Sequence, residues 1–549
     1  GALRNFLVSI RMPSRLMLAP VLAAAAGLSI APSAAVAQWI PNYQIYSIQR
    51  VGLFGPLQTG SAGLQFSTAE FLNTVGLVAG SSQRSPEDEF TNNGRNTWVY
   101  NPVPNTTVQT GLTGAAYTGS AGFQSSTNNF QNDAGQVAGR SNRYTGVSTG
   151  NGQNTWVYNS VGNTTVQTGF TGVAYTGSAG RQESTNSFQN DAGQVAGFSR
   201  RITGVNAGNG QSTWVYNPVS NATAQIGLTG AAYTGSAGRQ FGLNNFQNAA
   251  GQVAGSSQRI TGVSTDNGRN TWVYNPVSSA TVQTGFTGTD FTGSAGRQFG
   301  TNSFQNAAGQ VAGSSDRITG VNTSNGRNTW VYNPISNTTV QTGLTGAAYT
   351  GSAGYQYSEN QVQNAAGRIA GISQRITDLS TDNGRNTWVC NPISNTTVQT
   401  GLTAAAHTGS AGYQQSDNSF QNDAGQVAGY STRITGVSTD IGQNTWVYNP
   451  VSNTTVQTGL TAAAHTGSTG SQLSANNFQN DAGQVAGYST RITGVNTFNG
   501  VDTWVYNPVS NTTVQTGFTG AGYTGPGGFQ KSTNNFQNAA GQVAGFSER

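Results

Sequence analysis

The sequence predicts an all-β fold, a β-propeller of about nine four-stranded antiparallel blades, with a β-solenoid as the alternative architecture. Three observations carry that expectation. Trp98, Trp156, Trp214, Trp272, Trp330, Trp388, Trp446 and Trp504 head close copies of one aromatic segment, each 58 residues after the last. Every period holds two runs of strand-like alternation separated by Asn- and Gly-containing turns. No stretch keeps a helical periodicity.

In chain order, residues 1–37 read as a secretory leader. Arg11 and Arg15 flank Met12, an apolar run covers 16–30, and Ala35-Val36-Ala37 offers a small-residue cleavage site before Gln38. No second apolar span follows, so the mature chain is expected to be secreted, extracellular or periplasmic, without a membrane span. Residues 38–549 form the repeat domain. Its first copy, 38–97, is degenerate: Trp39 starts it, TGSAG stands at 59–63, and Gly76-Leu77-Val78-Ala79-Gly80 stands where later copies have GQVAG.

Residues 446–503 serve as a specimen repeat. Residues 445–449 (TWVYN) are aromatic and β-branched, as strands prefer. NPVSN follows as a turn, and 454–458 alternates as a second strand. Beyond a long connection, NDAG turns between a short strand at 478–479 and a longer one at 484–492. Each hairpin has an aromatic face that it cannot bury alone, and neighbouring copies supply the wall. The last strand is expected to pair with the first hairpin and close the ring.

Composition narrows the partners. Only 8% of residues are charged, yet the regular aromatic and Val positions can build a core, so the chain reads as folded. Three of the 24 basic residues (Arg4, Arg11, Arg15) lie in the leader, leaving 21 against 19 acids, and Lys531 is the only lysine. Such a balance lacks the field that dense phosphate neutralisation needs, so no nucleic-acid partner is expected. Cys390 is the only cysteine, which rules out an intramolecular disulfide; it stands where other copies have Tyr and reads as a drifted strand residue.

The two long connections of a repeat are expected on one side, as in TAAAHTGSAGYQQSDN (403–418) and the TGVSTDNGRN-like segments, making that side the candidate binding face. Two patterns mark it. An aromatic slot holds Tyr117, Tyr175, Tyr233, Phe291, Tyr349, His407, His465 and Tyr523, read either as stacking platforms for sugars or peptides or as loop anchors packed on their own blade. An arginine slot holds Arg84, Arg143, Arg201, Arg259, Arg317, Arg375, Arg433, Arg491 and Arg549. These guanidinium groups either recognise carboxylate or sulfate on an acidic glycan, or stack on neighbouring aromatics and donate to loop carbonyls. The stretch GRQESTNS, GYQYSENQ, GSQLSANN varies between copies, as an exposed loop or as partner-tuned variation.

Other motifs carry less. The STDNGRNTW stretches at 264–272 and 380–388 have one residue more than the Asp-box of sialidase-type propellers, and DNG lacks calcium-loop spacing. The acceptor-like Asn105, Asn163, Asn221, Asn337, Asn395, Asn453 and Asn511 are better explained by turn chemistry. His407 and His465 have no recurring acid or thiol beside them, so neither a metal nor a cofactor is expected. Such regular repetition leaves almost no unique polar residue for an asymmetric catalytic constellation, so the chain is expected not to be an enzyme.

QNDAGQVAGYS (421–431), TWVYNP (445–450) and TTVQTGL (454–460) resemble the extracellular HAF-repeat family, and the similarity recurs over 38–549. The resemblance implies a secreted, β-propeller-like protein and supplies no active residues. The expected role is a monomeric, secreted interaction or adhesion module for glycans or proteins at the cell surface or in the matrix. The alternatives are a purely structural repeat protein and a polysaccharide-processing enzyme.

Overall fold

Each repeat of the computed structural model but the last, which has two strands, is a four-stranded antiparallel meander. The description covers residues 49–548 apart from 61–62, 85–93, 121, 146–148, 204–206, 237, 262–264, 321–322, 378–380 and 494–496; the leader, its cleavage site, Trp39 and Arg549 lie outside it. In one copy the strands are Gln414–Gln421, Val427–Thr435, Thr439–Asn449 and Thr454–Gln457, pairing in sequence order.

Turn chemistry sets the hairpins. In the NDAG turn, Asn422 Oδ1 accepts the Gln426 N–H at 2.9 Å and Gly425 takes φ +82°. In NPVSN, Asn449 Oδ1 accepts the Val451 N–H at 2.9 Å. Asn453 takes the left-handed φ of 53° that Asn tolerates, and its Oδ1 accepts the Tyr448 hydroxyl at 3.0 Å. The recurrent Asn-Thr-Thr is thus a turn device, and Ser279 takes the same φ of 53° in the copy without Asn.

Two boundaries differ from the sequence-based expectation. The first strand runs over eight residues, Gln414–Gln421, so the variable stretch is a strand and not a loop. The TGVSTDNGRN-like segments are not long loops either: Thr435 pairs with Thr439, and the third strand already begins there.

No repeat has a core of its own. Val427, Trp446 and Tyr448 pack against Ala370 and Val389 of the preceding repeat. On the opposite face, Ala428 and Val447 pack against Val485, Trp504 and Tyr506 of the following one. The two-residue alternation of a strand sends successive side chains to opposite seams. Trp446 is fully buried, and Gly429 lies opposite it because no Cβ fits beneath the indole.

Polar ladders run along the same seams. Asn364 Nδ2 donates to Asn422 O at 3.0 Å, and Asn422 Nδ2 to Asn480 O at 3.3 Å, each 58 residues on. Asn418 Nδ2 reaches back to Gly371 O and Asn476 Nδ2 to Gly429 O, both at 2.9 Å.

The propeller expectation is overturned; the architecture is a β-solenoid. Successive repeats stack in one sense and are joined by parallel backbone pairing, as between Gly442 and Gln472, Gly384 and Gln414, and Gly326 and Gln356. A Cβ on Gly442, whose φ is +126°, would stand 1.8 Å from Gln472 O, so glycine is what lets the two strands meet. The Trp39 segment expected to meet the last strand lies outside the described residues. The last strands, Gln530–Gln537 and Val543–Ser547, have no described partner in the first repeat, and Phe536 is 71% exposed where its counterpart Phe420 packs into a seam. Alternation and turn residues define the meander inside a repeat, but they are silent on how the next repeat is placed.

Candidate interaction surface

The aromatic slot is buried. Tyr117, Tyr175, Tyr233, Tyr349, His407 and His465 sit in single 3-10 turns of the connections and are 4–9% exposed. Tyr117 and Tyr233 donate to Asn154 and Asn270 on the third strand of the meander they lead into, both at 2.9 Å. Burial pushes the Tyr117 hydroxyl's pKa up, against the charge of Arg143. Phe291 and Tyr523 are partly buried and pack on Phe286 and Phe518.

The arginine slot closes over these rings. Arg143, Arg201, Arg259, Arg317 and Arg375 place Cζ 5.4–5.7 Å from the ring centroids of Tyr117, Tyr175, Tyr233, Phe291 and Tyr349. Contacts of this kind contribute about 0.5–2 kcal/mol each. Arg433 shows the rest of the clamp: Nη1 donates to Asn444 in its own repeat at 3.0 Å, and Nε to Gly470 O in the next at 2.8 Å. Arg84 bridges Asn96 and Gln124 in the same way.

Histidine enters this clamp without gathering a metal set. His407 Nε2 lies 3.0 Å from Asn444 Oδ1, an acceptor, so Nε2 carries the proton. Burial lowers the His407 pKa, opposed by that bond and reinforced by the Arg433 charge. His465 instead meets Asp502 at 2.9 Å, and Arg491 donates to the same carboxylate oxygen at 2.9 Å. Burial raises the Asp502 pKa, but the bonds and charges of His465 and Arg491 outweigh it and hold the group below the ordinary carboxylate range. Among the described residues no three His, Cys, Asp or Glu side chains come together as metal ligands. Cys390 is fully buried, which pushes its thiol up to about 11.

The variation between copies lies elsewhere, at half-buried to exposed positions. Along the first strand Gln182, Ser184 and Asn186 point inward and stay nearly constant between copies, while Glu183 and Thr185 alternate with them on the outer side. At the outer position the copies carry Ser125, Glu183, Phe241, Phe299, Tyr357, Gln415, Leu473 and Lys531. Each is paired in parallel with a residue of the preceding third strand: Arg95, Gln153, Gln211, Arg269, Arg327, Arg385, Gln443 and Val501 respectively. The sequence signal was the constant Gln, with Ser or Gly two residues on, beneath the variation, which is strand alternation.

Grooves open at these seams. One of about 430 Å³ is lined by Tyr357, Glu359, Asp382, Arg385 and Tyr413, with Arg385 paired to Asp417 at 2.6 Å. Two repeats earlier the equivalent groove, about 310 Å³, is lined by Arg239, Phe241, Leu243, Asp266, Arg269 and Phe299. The same scaffold therefore presents different chemistry at different seams.

No protein-family profile and no curated protein matches the chain. Among solved structures, dipeptidyl peptidase 4 of Porphyromonas gingivalis is similar at 10% identity and TM-score 0.32, over 82% of this chain and 61% of that one. The β-propeller domain of the Trilobed protease from Pyrococcus furiosus is similar at 7% identity and TM-score 0.23, over 71% and 95%. An Aleuria aurantia lectin in complex with Fucα1-6GlcNAc is similar at 13% identity and TM-score 0.20, over 63% and 97%. These are distant likenesses to β-propeller proteins, and at such scores they carry no argument about this chain. No helix among the described residues is long and apolar enough to cross a membrane.

Proposed function

We propose that the chain is an exported, non-catalytic repeat scaffold that binds an extracellular glycan or protein along the outer face of its first strands. One observation carries the reading: the outer position of the first strand changes chemical class from copy to copy, as at Glu183, Phe241, Tyr357 and Lys531, and it lies at seam grooves, while the clamp beneath keeps a ring under an arginine. The leader-like start and the resemblance to HAF repeats support placement outside the cytoplasm. The aromatic and arginine slots belong to the frame that holds this face, since their side chains are engaged by the protein itself.

The test is binding of the purified chain to an array of glycans and immobilised matrix proteins. The comparison is a variant with Phe241, Phe299 and Tyr357 replaced by Ser. Binding that the variant loses, with its melting temperature kept, supports the scaffold. Absence of any binding leaves a structural role, and turnover of a polysaccharide in the same assay marks an enzyme.

A further inference from the structure

The groove between the meanders that begin with Gln240–Gln247 and Gln298–Gln305 has a chemistry of its own. Arg269 sits over the Phe299 ring, Cζ 4.4 Å from the centroid. Burial pushes its pKa down, against the pull of Asp316 and Asp266. Among the described residues no ion pair holds Arg269 or Arg239, and the buried Nε atoms of both have no hydrogen-bond partner there. Asp266, the one acid of the lining, accepts the Gly268 N–H at 2.8 Å through Oδ1. Phe241 adds a second aromatic wall.

Two guanidinium groups beside two phenyl rings make a specific pattern. Guanidinium donates in a planar fork to carboxylate or sulfate, and an aromatic face takes the C–H side of a sugar ring. The volume of about 310 Å³ is at the lower end of small-ligand sites and suits one or two sugar residues. We propose that this groove binds an anionic saccharide, with Arg239 and Arg269 holding its carboxylate or sulfate, Phe299 bracing Arg269 from beneath and Phe241 packing on a sugar ring. The proposal rests on the scaffold reading above and names its ligand class. The groove around Tyr357 and Glu359 differs: its Arg385 is already paired with Asp417, so it lacks the free charge.

The experiment is calorimetric titration of the full chain with tetragalacturonate, a sulfated tetrasaccharide, neutral maltotetraose, inorganic sulfate and hexaglutamate. The two anionic saccharides distinguish carboxylate from sulfate. Binding of at least one is expected, weakened roughly tenfold or more in Arg269→Gln and Arg239→Gln, since each variant removes a charge-assisted bond. Phe241→Leu weakens it too. Buried-tryptophan fluorescence verifies that each variant is folded. Equal affinity for maltotetraose, undiminished binding in both arginine variants, or hexaglutamate binding as tightly and insensitively to Phe241→Leu would overturn the proposal. Neutral saccharide binding lost in the Phe241, Phe299 and Tyr357 variant would overturn the anionic site and leave the scaffold standing. Absence of all binding at the face removes both.

Discussion

Asn444 Oδ1 receives both His407 and Arg433, so a protonated imidazole at 407 would put a second cation into a buried site. The folded-state pKa of His407 lies below its unfolded value. Its neutral form therefore supports folding fully above about pH 6.5, and that support is lost as the pH falls through this range. His407→Tyr, which restores the residue of most other copies, is expected to lose less melting temperature between pH 7.5 and pH 5 than the natural chain. Parallel melting curves for the two proteins would refute this. Part of this scale was legible in the sequence. The ring-and-arginine pairing stood among the readings of the repeated slots, but its spread over two repeats did not, because spacing along a chain does not say which neighbour a side chain meets. The one acid in the Asn slot, Asp502, was also visible, 37 residues after His465, and its meaning needed the contact.

Among elements, the second strand shows how tightly the meander is built. A Cβ on Gly429 would stand 2.3 Å from Asp417 O and 2.4 Å from the Trp446 ring, and neither backbone nor buried indole can retreat. Gly429→Ala is expected to cost about 1–3 kcal/mol in a denaturant titration. Gly346→Ala is the contrast: nothing lies within 4 Å of its Cβ, and Ala404 and Ala462 fill the equivalent place in later copies. It should unfold with the natural midpoint. The third and fourth strands and both tight turns were readable because TWVYN, NPVSN and NDAG carry strong local preferences. The first strand was not. Gln, Ser and Asn dominate it, so intrinsic preference argues for a loop; what holds it is cross-strand bonding such as Ser416 to Ser431 at 2.8 Å, together with the seam ladders.

For the whole molecule, stability is a sum over shared seams. An internal repeat has two covered faces and the last has one, which leaves residues of Val543–Ser547 exposed where Val485 and Ala486 are fully buried. Backbone amides of Val543–Ser547 are therefore expected to exchange with solvent well before those of Val485–Thr493, as hydrogen-exchange mass spectrometry can measure. Equal protection would contradict the seam picture. The period of 58 residues and the all-β character came directly from Trp and Gly spacing. The choice between ring and solenoid did not, because both arrangements ask a repeat for the same alternation and the same self-complementary faces.

Self-complementarity of this kind has a kinetic side. Val427, Trp446 and Tyr448 would fit almost as well against the copy two places away, or against a copy in another molecule, as against the Ala370 and Val389 that they meet. Correct and skipped assemblies are thus nearly degenerate in energy, and concentrated refolding should yield entangled oligomers as well as monomers. What favours the right partner is that it is the nearest along the chain: adjacent copies find one another before distant ones have a chance to compete.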